Sequence, residues 1–261
     1  MTSQRPDQQT AIVTGAGASI GRATALKLSS QGFRVAMLDR DVGGLTDTAE
    51  QMPGSTLEMV VDITDSVAFA DAIADAICEL GNLQVVANCA GVARYGTAEE
   101  SSLEDWHLQL DTNLTSIFLM AKHASAALRR SHGVMVNLAS VQAFASQLGV
   151  CAYTATKGAV VALTRSLALD LAADGVRVVA VAPGSVDTPM LRHAAAMSAT
   201  DDRTVDDVVA GWGLNHPLGR VASADEIADV IVFLASPQAA FITGTTIVVD
   251  GGLTAQIAVR R

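Results

Sequence analysis

The stretch from Thr10 to Asp39 runs strand, glycine-rich turn, helix, strand and acid, and that order admits few folds. Thr10-Ala11-Ile12-Val13-Thr14 reads as a short buried strand. Gly15-Ala16-Gly17-Ala18-Ser19-Ile20-Gly21 follows, and a helical pattern then continues to Ser30. Phe33–Leu38 reads as a second strand ending at Asp39, 18 positions after Gly21. Free N–H groups and the dipole at a helix start attract an anion, and missing side chains let a pyrophosphate approach. A carboxylate at the end of the second strand stands where adenosine ribose hydroxyls are held. Either piece alone could be an ordinary tight turn or a solvated Asp. The five in register predict a dinucleotide-binding unit.

The rest of the chain extends that unit. Apolar runs recur at Ala11–Thr14, Arg34–Leu38, Leu57–Val61, Gln84–Ala87, Val134–Leu138, Arg177–Val181 and Thr245–Val249, with helical patterns between them. Alternation of this kind predicts an α/β fold: one Rossmann-like, doubly wound parallel sheet of about seven strands with helices on both faces. With 261 residues, 50% hydrophobic and only 17% charged, residues 1–261 can fill a single core. Residues 1–9 read as a flexible flank, and 188–215 as the one long irregular insert, a substrate loop. Functional loops of such sheets lie at the carboxyl ends of the strands. The glycine turn, Asp39, Asp62, Asn88, Ser140 and Pro183 all fall there, which predicts one crevice.

Tyr153 and Lys157 stand four apart, and Ser140 lies 13 positions before Tyr153. On a helix, positions i and i+4 share a face, so a phenol and an ammonium sit side by side. A nearby cation favours the phenolate and lowers a pKa of about 10. The pair suits acid–base work on an alcohol or carbonyl oxygen, and Ser140 can hydrogen-bond that oxygen.

With these residues in place the chain closely resembles the short-chain dehydrogenase/reductase family from about Thr10 to Gly252. Thr14, Gly15 and Gly21 match its glycine turn, and Asn88-Cys89-Ala90-Gly91 its Asn-Asn-Ala-Gly mark. Asn113, Ser140, Tyr153 and Lys157 match its catalytic set, Pro183-Gly184 and Thr188 its turn after the sixth strand, and Asp250-Gly251-Gly252 its close. The resemblance implies that Lys157 also bonds a nicotinamide ribose, that Asn113 holds a relay water, that Thr188 orients the carboxamide and that Asp62 meets the adenine amine. An N-cap is the other reading of Asp62. Gly17, Ile20, Ile63, Ala90, Gly91 and Val186 complete the implied cofactor site. Two positions depart from the pattern. Ser19 replaces the middle glycine: it is strained by ~1–3 kcal/mol if its φ is positive, or it adds a phosphate hydrogen bond. Cys89 is small enough to pack as an apolar residue.

Charge bears on the cofactor and partners. Asp39 would accept from NAD ribose hydroxyls but repel a 2′-phosphate, at about 4 kcal/mol for ~4 Å and an effective dielectric near 20. Arg40 could reach a phosphate or cover the adenine. The expected cofactor is NAD, with NADP the alternative. Tyr95, Val141, Gln142, Gln147, Met190, Leu191 and Trp212 are expected around the substrate, which predicts a neutral, hydrophobic secondary alcohol or its ketone. His193 and His216 read as surface histidines. The net charge of −10 argues against nucleic acid. Arg129-Arg130 reads as the basic end of a helix, or as the dock of a 3-oxoacyl-carrier-protein reductase using NADPH, the rival function. A non-catalytic dinucleotide sensor is a third reading, opposed by the intact Asn113, Ser140, Tyr153 and Lys157. Ser131–Thr156 and Val230–Val249 carry no charge but too many polar groups to span a bilayer. Three scattered cysteines give neither a disulfide framework nor a metal pattern and point to a reducing cytoplasm. The predicted helix Ala152–Ala173 is apolar beyond one stripe, which predicts a homotetramer, or else a dimer.

Overall fold

A computed structural model of the chain describes residues 8–257. Residues 1–7 of the expected flexible flank therefore lie outside the described residues, while the Gln9 carbonyl accepts from the Arg34 N–H at 2.8 Å. Seven strands form one parallel sheet: β1 Thr10–Thr14, β2 Arg34–Asp39, β3 Thr56–Val60, β4 Val85–Asn88, β5 Val134–Leu138, β6 Arg177–Pro183 and β7 Thr246–Val249. Their order across the sheet is β3-β2-β1-β4-β5-β6-β7. The order reverses between β1 and β4, and a crevice opens at the carboxyl ends beside such a switch point.

Successive strand residues face opposite sides, and both sides are covered. Ala11 and Val13 face a core shared with α1 (Ser19–Ser30), α2 (Val42–Glu50) and α9 (Ala224–Ala235). Ile12 faces the other core, built with α3 (Ser66–Leu80), α5 (Ser116–Ser131) and α6 (Cys151–Ala172). This burial on both faces is why the strands read as continuous apolar runs. The long helical segment before β5 is composite. It starts with α4 (Leu103–Leu110) and passes through a π turn at Asp111–Thr115 before α5. No helix among the described residues is long and apolar enough to cross a membrane.

The insert differs from the irregular loop expected. It holds α7 (Pro189–Ala196) and α8 (Val205–Gly213), which bury Ala195, Val208 and Val209 against each other. Thr188 caps α7 just before Pro189, and Thr204 with Asp207 forms a capping box on α8. Both are sequence-level helix starts. Arg192 then locks the pair, reaching Asp187 at 2.6 and 2.9 Å and Asp206 at 2.9 Å.

One polar chain crosses the core. The Asn88 side-chain amide donates to Asn137 Oδ1 at 2.8 Å, and Asn137 Nδ2 donates to the Thr164 hydroxyl at 3.0 Å, tying β4, β5 and α6 together. The Asn88 amide thus serves the sheet. Removing the middle member leaves buried partners unpaired, so Asn137→Ala should lower unfolding stability by about 1–3 kcal/mol in urea titration. An unchanged midpoint and slope would show that the chain contributes nothing.

Candidate active site

The glycine turn is shaped by contacts that leave no room for side chains. A Cβ on Gly21 would lie 2.0 Å from the Gly15 carbonyl oxygen, and one on Gly15 2.8 Å from Ala90 Cα. Thr14 accepts from the Ala90 N–H at 3.2 Å, which stitches the turn to the end of β4. Arg22 donates to the Gly17 carbonyl at 2.6 Å from below. Ser19 holds φ 53°, so the left-handed backbone of a glycine is kept without one, and the strain reading applies. Asp39 accepts from the Gly17 N–H at 2.9 Å and the Asp41 N–H at 3.0 Å, which fixes its carboxylate at the cleft. Bare backbone at a helix start, a close glycine pair and a fixed carboxylate fit the pyrophosphate and adenosine ribose of a dinucleotide.

A cleft of about 830 Å³ runs from this turn past Ser140, Tyr153 and Lys157 to the insert. Ser140 ends the loop after β5, where its Oγ caps a single 3₁₀ turn (Val141–Ala143) by accepting from the Gln142 N–H at 3.2 Å. Tyr153 and Lys157 lie one turn apart on α6. The Lys157 ammonium is 5.5 Å from the Tyr153 ring centre and donates to the Leu138 carbonyl at 2.7 Å. Asn113, in the π turn, is fully buried. It accepts from the Val92 N–H at 2.8 Å and donates to the Val92 carbonyl at 2.9 Å and Thr156 Oγ1 at 3.2 Å.

The electrostatics correct one expectation. Lys157 does not bring the Tyr153 phenol down. Burial pushes the phenol up to about 12, Ser140 offsets part of that, and the Tyr95 phenol adds to it. Burial pushes the Lys157 ammonium down to about 8. A low-polarity wall disfavours phenolate and ammonium alike. The pair as folded is a neutral phenol beside a weakened ammonium, suited to giving a proton to a carbonyl oxygen.

The cleft gathers Gly15, Ser19, Ile20, Gly21, Asp39, Ala90, Gly91, Pro183, Gly184, Val186 and Thr188, together with all seven residues expected around the substrate. Gly17, Arg40, Asp62, Ile63, Asn88 and Asn113 stand behind or beside this lining. Ile63 is core. Arg40 is exposed and close enough to Asp62 to favour its carboxylate. The Asp62 carboxylate accepts from the Thr64 N–H at 2.9 Å and hydroxyl at 2.8 Å and so closes a turn; it is not the helix N-cap of the other reading, which is Asp65, whose side chain accepts from the Val67 and Ala68 N–H groups.

His193 is exposed, but His216 is not the surface histidine expected. It is 3% exposed, its Nδ1 lies 2.6 Å from the Asp250 carbonyl oxygen, and its Cε1 would stand 2.6 Å from a Cβ on Gly184. A carbonyl only accepts, so Nδ1 carries the proton. Leu253, Thr254, Gln256 and Asn215 also reach the cleft. Asp250 bends the chain back by accepting from Gly252 at 2.9 Å and Thr254 at 2.7 Å, and Gln256 donates to the Asn215 carbonyl at 2.6 Å. The Asp-Gly-Gly turn was the only sequence signal for this return.

Comparisons with known proteins bear on the fold and the family. A family profile described as Enoyl-(Acyl carrier protein) reductase matches residues 15–254. Meso-2,3-butanediol dehydrogenase of Serratia marcescens is 34% identical over 252 residues, 96% of either chain. The 2,3-dihydro-2,3-dihydroxybenzoate dehydrogenase of Escherichia coli is 36% identical over 243 residues, covering 93% of this chain and 95% of that one. The solved structure of Thermoplasma acidophilum aldohexose dehydrogenase superposes with a TM-score of 0.88 at 34% identity over 97% of both chains. The chain belongs to the short-chain dehydrogenase/reductase family.

The depressed Lys157 value makes stability depend on pH. Its folded pKa of about 8 lies below the ordinary 10.5, so between those values the unfolded chain binds more protons and stability rises with pH. The cost of burying the charge is full below about pH 8 and fades toward 10.5. Lys157→Met lacks this effect. Between pH 7 and 10, wild type should gain on the variant by about 2–3 kcal/mol in chemical denaturation. Parallel pH curves would place the ammonium in water.

Proposed function

We propose that the protein is an NAD(H)-dependent oxidoreductase that interconverts a neutral secondary alcohol and its ketone. One observation carries this reading: Ser140, Tyr153 and Lys157 open onto the same cleft as the glycine turn and Asp39. NAD bound there supplies the acceptor or donor of a hydride. Gly15–Gly21 would receive its pyrophosphate, Asp39 its adenosine ribose, Lys157 its nicotinamide ribose, and Thr188 its carboxamide. Thr188 Oγ1 accepts from the Leu191 N–H at 3.3 Å and keeps its own proton to donate. Ser140 holds the substrate oxygen. Tyr153 gives that oxygen a proton in reduction and takes it back in oxidation. Asn113 backs the relay through Thr156.

Two contacts weigh against the rival carrier-protein reductase, though both arginines stay exposed: Arg129 is paired with Asp174 at 2.7 Å, and Arg130 donates to the Ala126 carbonyl at 3.2 Å. A homotetramer is supported by apolar side chains facing water: Phe118 on α5, Leu169 on α6, and Phe241 and Val248 beside edge strand β7. The other leucines of α6 are largely absorbed by the sheet, so Leu169 carries most of that argument. The free cysteines Cys78, Cys89 and Cys151 suit a cytoplasmic protein.

Tyr153→Phe keeps the ring and loses the proton, so turnover should fall at least ~10²-fold while NAD still binds. Near-normal turnover in a folded variant sinks the mechanism. Asp39→Ala should shift kcat/KM from NAD toward NADP, because the carboxylate no longer opposes a 2′-phosphate. A wild type that already favours NADP would overturn the role of Asp39.

A further inference from the structure

We propose that the cleft has a second oxygen subsite, formed by the Tyr95 hydroxyl and the Gln142 amide, and that the substrate is a 1,2-diol or the matching α-hydroxyketone. The inference rests on the alcohol–ketone reading above and narrows it.

Both residues line the cleft with Ser140 and Tyr153. Gln142 belongs to the turn that Ser140 caps, so its root is fixed relative to the Ser140 hydroxyl. Its Oε1 receives only a long 3.5 Å contact from the Thr154 hydroxyl. Neither its Nε2 nor the Tyr95 hydroxyl has a hydrogen-bond partner among the described residues. Tyr95 is partly buried and lies near enough to Tyr153 to oppose its ionisation. Two unspent polar groups therefore flank the pair that would hold the reacting oxygen. Neither atom is fully buried, so both face cleft water, and a bound oxygen can take that water's place at each.

Charge sets the kind of oxygen. Among the described residues, Asp39 and Lys157 are the only Asp, Glu, Lys or Arg lining the cleft. Asp39 is held by the Gly17 and Asp41 N–H groups, and Lys157 by the Leu138 carbonyl. A carboxylate or phosphate on the substrate would meet no cation at the second subsite, since Lys157 is assigned to the nicotinamide ribose, whereas a hydroxyl or carbonyl is satisfied by a phenol and an amide. Met190, Leu191 and Trp212 cover the carbon chain. In oxidation, the C–H of the reacting carbinol leaves as hydride to NAD+, its O–H proton passes to the Tyr153 oxygen as the phenol gives its own proton toward Lys157 in the amine form, and a C=O bond forms. The neighbouring C–OH is unchanged, so the product is an α-hydroxyketone and NADH.

The test compares substrates matched in carbon chain. Initial rates of NADH formation are measured for the full-length chain with each stereoisomer of butane-2,3-diol and with both enantiomers of butan-2-ol. One diol should exceed butan-2-ol in kcat/KM by about tenfold or more, since two neutral hydrogen bonds are each worth about three- to tenfold. Tyr95→Phe and Gln142→Leu, made separately, should each cut the diol-to-butanol ratio about three- to tenfold. Either variant decides alone if the other does not fold, as judged by thermal unfolding. Butan-2-ol turned over as well as every diol overturns the subsite and leaves the alcohol–ketone reading standing. A ratio unmoved in a folded variant removes that residue from the subsite. No NADH from any of the alcohols takes both readings down together.

Discussion

A buried ammonium holds the centre of this cleft together. Lys157 reaches from α6 to the Leu138 carbonyl at the end of β5, and in doing so sets the distance between helix and strand. Ser140 follows Leu138 by two residues, and Tyr153 precedes Lys157 by one helical turn. The same contact therefore places the hydroxyl, the phenol and the cation around one point. Gly91 keeps this point open: a Cβ there would lie 3.6 Å from the Lys157 Nζ and 3.3 Å from the Asn113 Oδ1. Asn113 closes the back through Val92 and Thr156, and Thr156 in turn donates to the Tyr153 carbonyl at 2.8 Å. A charge so deep in the protein is costly. Its weakened hold on a proton is the physical sign of that cost.

The cleft is electrically lopsided. The end proposed for the dinucleotide has bare N–H groups, a helix start and the Asp39 carboxylate. The end proposed for the substrate has amides, hydroxyls and apolar side chains. Most of the acids behind the net charge of −10 stay in solvent or pair locally, as Glu226 does with Arg220 at 2.6 and 2.7 Å. The protein can be strongly acidic and still present a neutral site.

Periodicity made the sheet legible. Strands covered on both faces are mostly apolar, and β1, β2 and β5 are so apart from their polar ends and Asn137, so their limits were readable almost to the residue. The glycine turn, Ser140, Tyr153 and Lys157 were legible because chain order and strand ends dictate where they meet. What stayed hidden depends on tertiary neighbours. Whether Lys157 lowers the Tyr153 pKa is a contest between a nearby charge and burial, and spacing says nothing about burial. His216 looked like loop surface because its cover comes from Gly184 and Asp250, distant in sequence. The same holds for Gln256 and Asn215. The helices of the insert were announced by Thr188-Pro189 and by the Thr204–Asp207 box, local signals outweighed by the expectation of a loop.

The central claim is that a buried, destabilised ammonium organises the site. The chain has three lysines, Lys27, Lys122 and Lys157, so each can be followed separately. In a ¹³C-lysine-labelled sample, the side-chain resonances are titrated by NMR from pH 6 to 11 and assigned with Lys157→Met. The account predicts that the Lys157 signal titrates near pH 8, well below the ordinary 10.5. A Lys157 signal that titrates at or above 10.5 would contradict it.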